Sequence, residues 1–215
     1  MQMDLFDFAR DREPKQVAGA NPAWEEPGKT LWGRTWLEHV RRLCGRKYAS
    51  ELAFGEKLLL AGRMQSCRVR GPHAQATFTN REGGVALVNL TVRALSGDAW
   101  QRIERLCDRC GEALFASDEL PDDAVAELFE GPDGLLPGLD ELTFSCSHCH
   151  TPFCLYRAAT LLALASEFEQ RPVKLFELRG APSEILFERA ALQTQEDDKP
   201  LEESDLSAIF GIELA

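Results

Sequence analysis

Two short cysteine clusters constrain this chain more than any other feature: Cys107-Asp108-Arg109-Cys110-Gly111, and Cys146-Ser147-His148-Cys149-His150 followed by Cys154. Each Cys-x-x-Cys pair presents two sulfurs from a few residues of chain, and the neighbouring histidines add imidazole donors. That is the donor set a tetrahedral thiolate/imidazole ion such as Zn2+ requires. The spacing predicts a structural zinc site, with Cys107, Cys110, Cys146 and Cys149 as the first ligand set and Cys154, His148 and His150 as alternates.

Composition sets the frame for that site. A chain of 215 residues with 44% apolar and 27% charged residues buries a core of ordinary size, and a wholly disordered chain would carry fewer aliphatics. Seven cysteines are an odd number, no basic-then-apolar leader precedes residue 30, and no run of about 18 apolar residues occurs. The expectation is a reducing, cytoplasmic setting without a membrane partner, where thiols serve a metal rather than a disulfide framework. A formal charge of −11 excludes indiscriminate phosphate binding, which needs clustered Lys and Arg.

Periodicity then predicts an α+β fold: a small antiparallel β-meander packed with several helices, a zinc-finger-like element leading into a buried helix, and an acidic tail. Residues 1–29 read as an arm. Residues 30–100 hold a helix with Trp32, Trp36, His39, Val40 and Leu43 on one stripe, followed by strands over Gln65 to Val69, Ala74 to Phe78 and Val85 to Val92. Residues 101–180 read as helical. Ser96 caps a helix through Trp100, Ile103 and Leu106, a second opens at Leu120-Pro121-Asp122-Asp123, and Leu142-Thr143-Phe144 is strand-like. Leu155 to Phe168 is the longest helical signal and is apolar nearly all round. Residues 181–215 form the tail, with acidic Glu196, Asp197, Asp198, Glu202, Glu203 and Asp205 before an apolar segment, Leu206 to Leu214. That segment docks on a partner or folds back on the core.

The stretch from Thr143 to Gly180 resembles the SWIM zinc-finger family of bacteria, in which Cys-x-Cys, a short loop and Cys-x-His lead into a helix. The resemblance is carried by Arg171-Pro172, Leu175-Phe176 and Leu178-Arg179-Gly180, and in the same order by Trp32-Gly33-Arg34-Thr35-Trp36, Gly62-Arg63, Leu95-Ser96 with Trp100, and Leu120-Pro121. It places the finger at about residues 143–180 and implies protein-interaction and DNA-binding roles beside a Swi/Snf-type helicase. Matched residue by residue, Cys146 takes the first ligand position and Cys154 the third. His148 stands where the second Cys belongs and Tyr156 where the closing His belongs, and a phenol with a pKa near 10 is a poor zinc ligand.

Three arrangements accommodate that departure. Cys149 and the Cys107/Cys110 pair rebuild the site; or Cys146, His148 and Cys154 bind with one of Cys149 or His150. In the third, metal binding is lost and Cys107, Cys110 and Leu114, at offsets zero, three and seven, are the buried stripe of a helix. His39, His73, Cys44 and Cys67 are assigned no chemistry. The chain lacks a His-x-Glu beside Pro-Cys-x-x-Cys, a Gly-x-Ser-x-Gly, a phosphate loop and a Gly-x-Gly-x-x-Gly. The function expected is therefore a non-enzymatic, zinc-stabilised binding module without a small-molecule substrate, its partner a protein and, second, nucleic acid. The alternative is a thiol-dependent oxidoreductase or redox sensor using Cys107 and Cys110.

Overall fold

The computed structural model describes residue 24 and residues 27–111, 114, 120–131 and 133–182. Among them are six α-helices and one antiparallel sheet, in the order α1 (Leu31–Cys44), α2 (Ala49–Leu60), β1 (Met64–Arg70), β2 (His73–Thr79), β3 (Val85–Val92), α3 (Gly97–Cys110), α4 (Asp122–Phe129), β4 (Leu142–Cys146), α5 (Leu155–Gln170) and α6 (Val173–Leu178). The α+β meander expected from the sequence is present. The acidic tail and its terminal apolar segment lie outside the described residues, as does most of the arm.

The sheet is a plain meander, β1-β2-β3-β4, to which β4 adds after the intervening helices. Alternation decides its two faces. Ala74, Ala76, Phe78, Ala86, Val88, Leu90 and Val92 point inward and are buried, while Gln75, Asn89 and Ser145 lie across from one another on the outer face and hydrogen-bond in a row. Three of the inward residues are alanines, which leave room for a helix against the sheet.

That helix is α5. It packs against all four strands on one side and against α1 and α2 on the other, so nearly its whole circumference is buried, with Leu161 and Leu164 fully so. Each such leucine contributes roughly 1.5–3 kcal/mol relative to exposure. Close approach needs small residues here as well: a Cβ on Gly55 of α2 would lie 2.7 Å from the Ala159 amide nitrogen and 3.0 Å from the Leu155 carbonyl oxygen.

Of the stripe expected on α1, Trp32, Trp36 and Val40 are buried and His39 and Leu43 half-buried, with Leu37 and Cys44 buried beside them. Thr30 accepts from the Gly33 amide at 3.3 Å. Trp36 is fully buried, donates its indole N–H to the Leu161 carbonyl at 2.7 Å and meets Phe168 edge-on at 4.8 Å. The end of the arm is fastened to the same helix: the Trp24 indole donates to Ser166 Oγ at 3.0 Å, and the amides of Gly28 and Lys29 to Glu169 Oε2 at 2.6 and 3.0 Å. At the other end of the core, the fully buried Arg179 donates to the Arg93 carbonyl at 2.7 Å and pairs with Glu141 at 3.1 Å, locking α6 to the end of β3 and the approach to β4. Both ends of the β4–α5 segment are thus held by the core.

Candidate metal centre

From the end of β4 to the start of α5, the nine residues 146–154 carry three thiols, and the fold brings those thiols together. Cys146 is the last residue of β4 and pairs with Val88. Pairing extends one residue further, since the Ser147 amide donates to the Leu87 carbonyl and the Ser147 hydroxyl accepts from the Leu87 amide, both at 2.9 Å. The chain then turns so that the amides of His148 and Cys149 bond the Cys146 sulfur.

The return arm is fixed differently. Phe153 is buried against Tyr48 at 4.6 Å and edge-on to Phe144 at 6.1 Å. Cys154 has extended backbone angles and caps the N-terminus of α5, its carbonyl accepting from Ala158 at 2.9 Å. The sulfurs of Cys146, Cys149 and Cys154 all lie within 4.8 Å of one another. Tetrahedral zinc with Zn–S bonds near 2.3 Å sets its sulfurs about 3.8 Å apart, so the three thiols fit such an ion with small adjustments.

Electrostatics within the cluster favour a thiolate. The Cys154 thiol donates to Cys146 and, with the amides of His148 and Cys149 and against the cost of burial, lowers the Cys146 pKa to about 5. Cys154, as the proton donor of the pair and partly buried, moves the opposite way. The Thr151 hydroxyl reaches Cys149 Sγ at 3.4 Å and the Phe153 carbonyl at 3.1 Å, and its single proton serves one acceptor at a time. Tyr156, at the position the resemblance gives to a closing histidine, has its pKa raised to about 12 by burial first and by the neighbouring cysteines second. It stays a neutral phenol, packed between Phe78 at 5.6 Å and His148 at 5.1 Å.

Of the sequence-predicted ligands, the group therefore contains Cys146, Cys149 and the alternate Cys154. His148 and His150 are exposed on the same loop and are not members of it. Cys107 and Cys110 are not members either. They occupy the last turn of α3, where Cys107 is fully buried beside Ile103 and Leu106 on the apolar stripe and Cys110 is half-buried. Gly111 ends the helix at φ +57°, its amide donating to the Cys107 carbonyl at 2.8 Å. No described cysteine is in a disulfide, and burial raises the thiols of Cys44 and Cys67 to about 11 and about 12.

Sequence reasoning passed over Arg157. Its one signal was a cation three residues into an apolar helix. Comparison with family models, with curated proteins and with solved structures returns no match for this chain.

Proposed function

We propose that Cys146, Cys149 and Cys154 bind one Zn2+ that fastens the end of β4 to the start of α5, making the chain a non-enzymatic, metal-stabilised binding module. The convergence of three thiols from a strand end, a loop and a helix cap is the observation that carries this reading. The donors suit the ion: thiolates are its preferred ligands, and a Cys146 thiolate already exists at neutral pH in the metal-free cluster. His148, His150 or a water molecule completes the coordination. Bound zinc supplies rigidity, because it ties together segments that otherwise rest on a few hydrogen bonds.

The resemblance to SWIM zinc fingers supports a protein partner, specifically a Swi/Snf-type helicase. Nucleic acid is the second reading, favoured by one observation. No Asp or Glu occurs in any of the four strands of this acidic chain, while Arg68 and Arg70 are exposed on the outer face of the sheet. Burial of Cys107 leaves the redox alternative only the half-buried Cys110 as an attacking thiol.

Elemental analysis of the purified protein tests the metal: about one zinc per chain is expected from the four-coordinate stoichiometry, with chelation lowering the melting temperature. Metal-free protein whose melting ignores chelators sinks the proposal. Titrating DNA binding with salt separates the partner classes, because phosphate contacts weaken steeply with ionic strength.

A further inference from the structure

Arg157 stands where a helix least favours a cation. It is the third residue of α5, within the first turn, where the macrodipole is positive and carboxylates rather than guanidinium groups are stabilised. It is also 7% exposed. Among the described residues no carboxylate pairs with it, and its Nε is buried without a hydrogen-bond partner. A desolvated cation in such a setting is costly unless an anion, hydrogen-bond acceptors or a ring face offset the lost hydration.

Its contacts identify a task. Nη1 donates to the carbonyl of Pro152, in the return arm between Cys149 and Cys154. The guanidinium lies over the ring of Phe144 at 5.8 Å, two residues before Cys146 on β4. Its own backbone amide bonds the Cys154 sulfur. One residue thus touches each of the three segments that bear thiols: strand, loop and helix cap. Three thiolates around a divalent cation also leave one net negative charge, which a nearby guanidinium complements.

We infer that Arg157 is the positioning residue of the metal centre, a strap that holds the loop closed at zinc dimensions. This rests on the reading of Cys146, Cys149 and Cys154 as zinc ligands. The strap acts through the ligands, so it sets metal affinity and metal choice rather than supplying a donor.

The test uses the full chain with Arg157→Met and Arg157→Lys, each titrated with Zn2+ and with Cd2+ against a chromophoric chelator. Arg157→Met is expected to bind zinc about 10–100-fold more weakly, the range typical of lost outer-shell partners. Cadmium, whose bonds to sulfur are longer, should lose less, so the zinc-to-cadmium affinity ratio falls. A residue that merely supports the fold would weaken both metals alike. Arg157→Lys keeps the charge without the planar fork and should recover part of the loss. Should Arg157→Met fail to fold, Phe144→Leu removes the ring beneath the guanidinium and is expected to lower the same ratio by a smaller factor.

Unchanged zinc affinity and an unchanged ratio in these variants overturn the role of Arg157 alone. A parent protein that takes up no zinc overturns the ligand assignment and the strap together.

Discussion

Residues 107–110 and 146–149 share the Cys-x-x-Cys spacing and have opposite surroundings. Cys107 and Cys110 sit in the last turn of α3, at the carbonyl end of the helix, where the dipole opposes a negative sulfur and the apolar stripe excludes water. Cys146 and Cys149 straddle a turn after a strand, where two amides face the Cys146 sulfur, and the helix that follows presents its N-terminus through Cys154. A thiol's chemistry is set by which backbone dipoles it meets, and spacing alone does not specify that.

The sharpest way to break this comparison is to remove one sulfur from each region. Cys146→Ser or Cys154→Ser is expected to weaken zinc binding by at least about 10³-fold, since structural sites draw most of their large binding energy from thiolates. Cys110→Ser is expected to leave the zinc content of the purified protein unchanged. Elemental analysis of the variants reads both results, and a zinc-free Cys110→Ser protein would erase the distinction between the two regions.

Thiol reactivity in chelated protein sharpens the same contrast. Cys146, with its pKa lowered to about 5 by the Cys154 thiol and two amides, should be alkylated at pH 6 to 7 and slow as pH falls through about 5. Because the folded pKa is depressed, this thiolate favours the folded metal-free state above the unfolded thiol range near 8.5, an effect lost as pH falls through about 5. The raised pKa of Cys154 opposes it at high pH. Cys107, fully buried, should label only on unfolding. Mass spectrometry of iodoacetamide-treated protein across pH 4 to 8 assigns the sites.

Much of the fold was legible because alternation and helical spacing are strong signals wherever one face is buried. The four strands and the helices α1, α3, α4 and α5 lie where the pattern puts them. α2 was not, because ASELAFGEKLLL carries a glycine in its middle, has no side-chain cap, and buries only Gly55, Leu58 and Leu59. The site was half legible. Cys146 and Cys149 are read from their spacing and Cys154 as an alternate at the third ligand position of the resemblance, but the choice of Cys154 over Cys107 and Cys110 depends on β4 and α5 bringing the loop's ends together, which no local pattern encodes. At Gly111 the signal was real and its meaning was ambiguous: a glycine after the second cysteine suits a metal turn and a helix end alike, and here positive φ ends a helix.

The anchoring of α5 separates the regions a third way. Gly55→Ala drives a methyl group into the backbone of Ala159 and Leu155, and Leu155 directly follows Cys154, one of the three proposed ligands. Overpacking of this kind costs roughly 1–3 kcal/mol. Chemical denaturation of the zinc-loaded protein should register that loss, together with weaker zinc binding, because displacing the start of α5 moves one thiol away from the other two.

The smallest effect belongs to the buried cysteine of α3. Cys107→Ala removes one sulfur from a stripe shared with Ile103 and Leu106, leaving a small cavity rather than an empty coordination position. The expected cost is about 1 kcal/mol, near the low end for large-to-small core substitutions, and thermal unfolding followed by circular dichroism measures it. Zinc affinity should match that of the parent. Packing alone predicts that pairing of effects, whereas a thiolate ligand at position 107 predicts the reverse: a large loss of metal and a melting temperature that no longer responds to chelators.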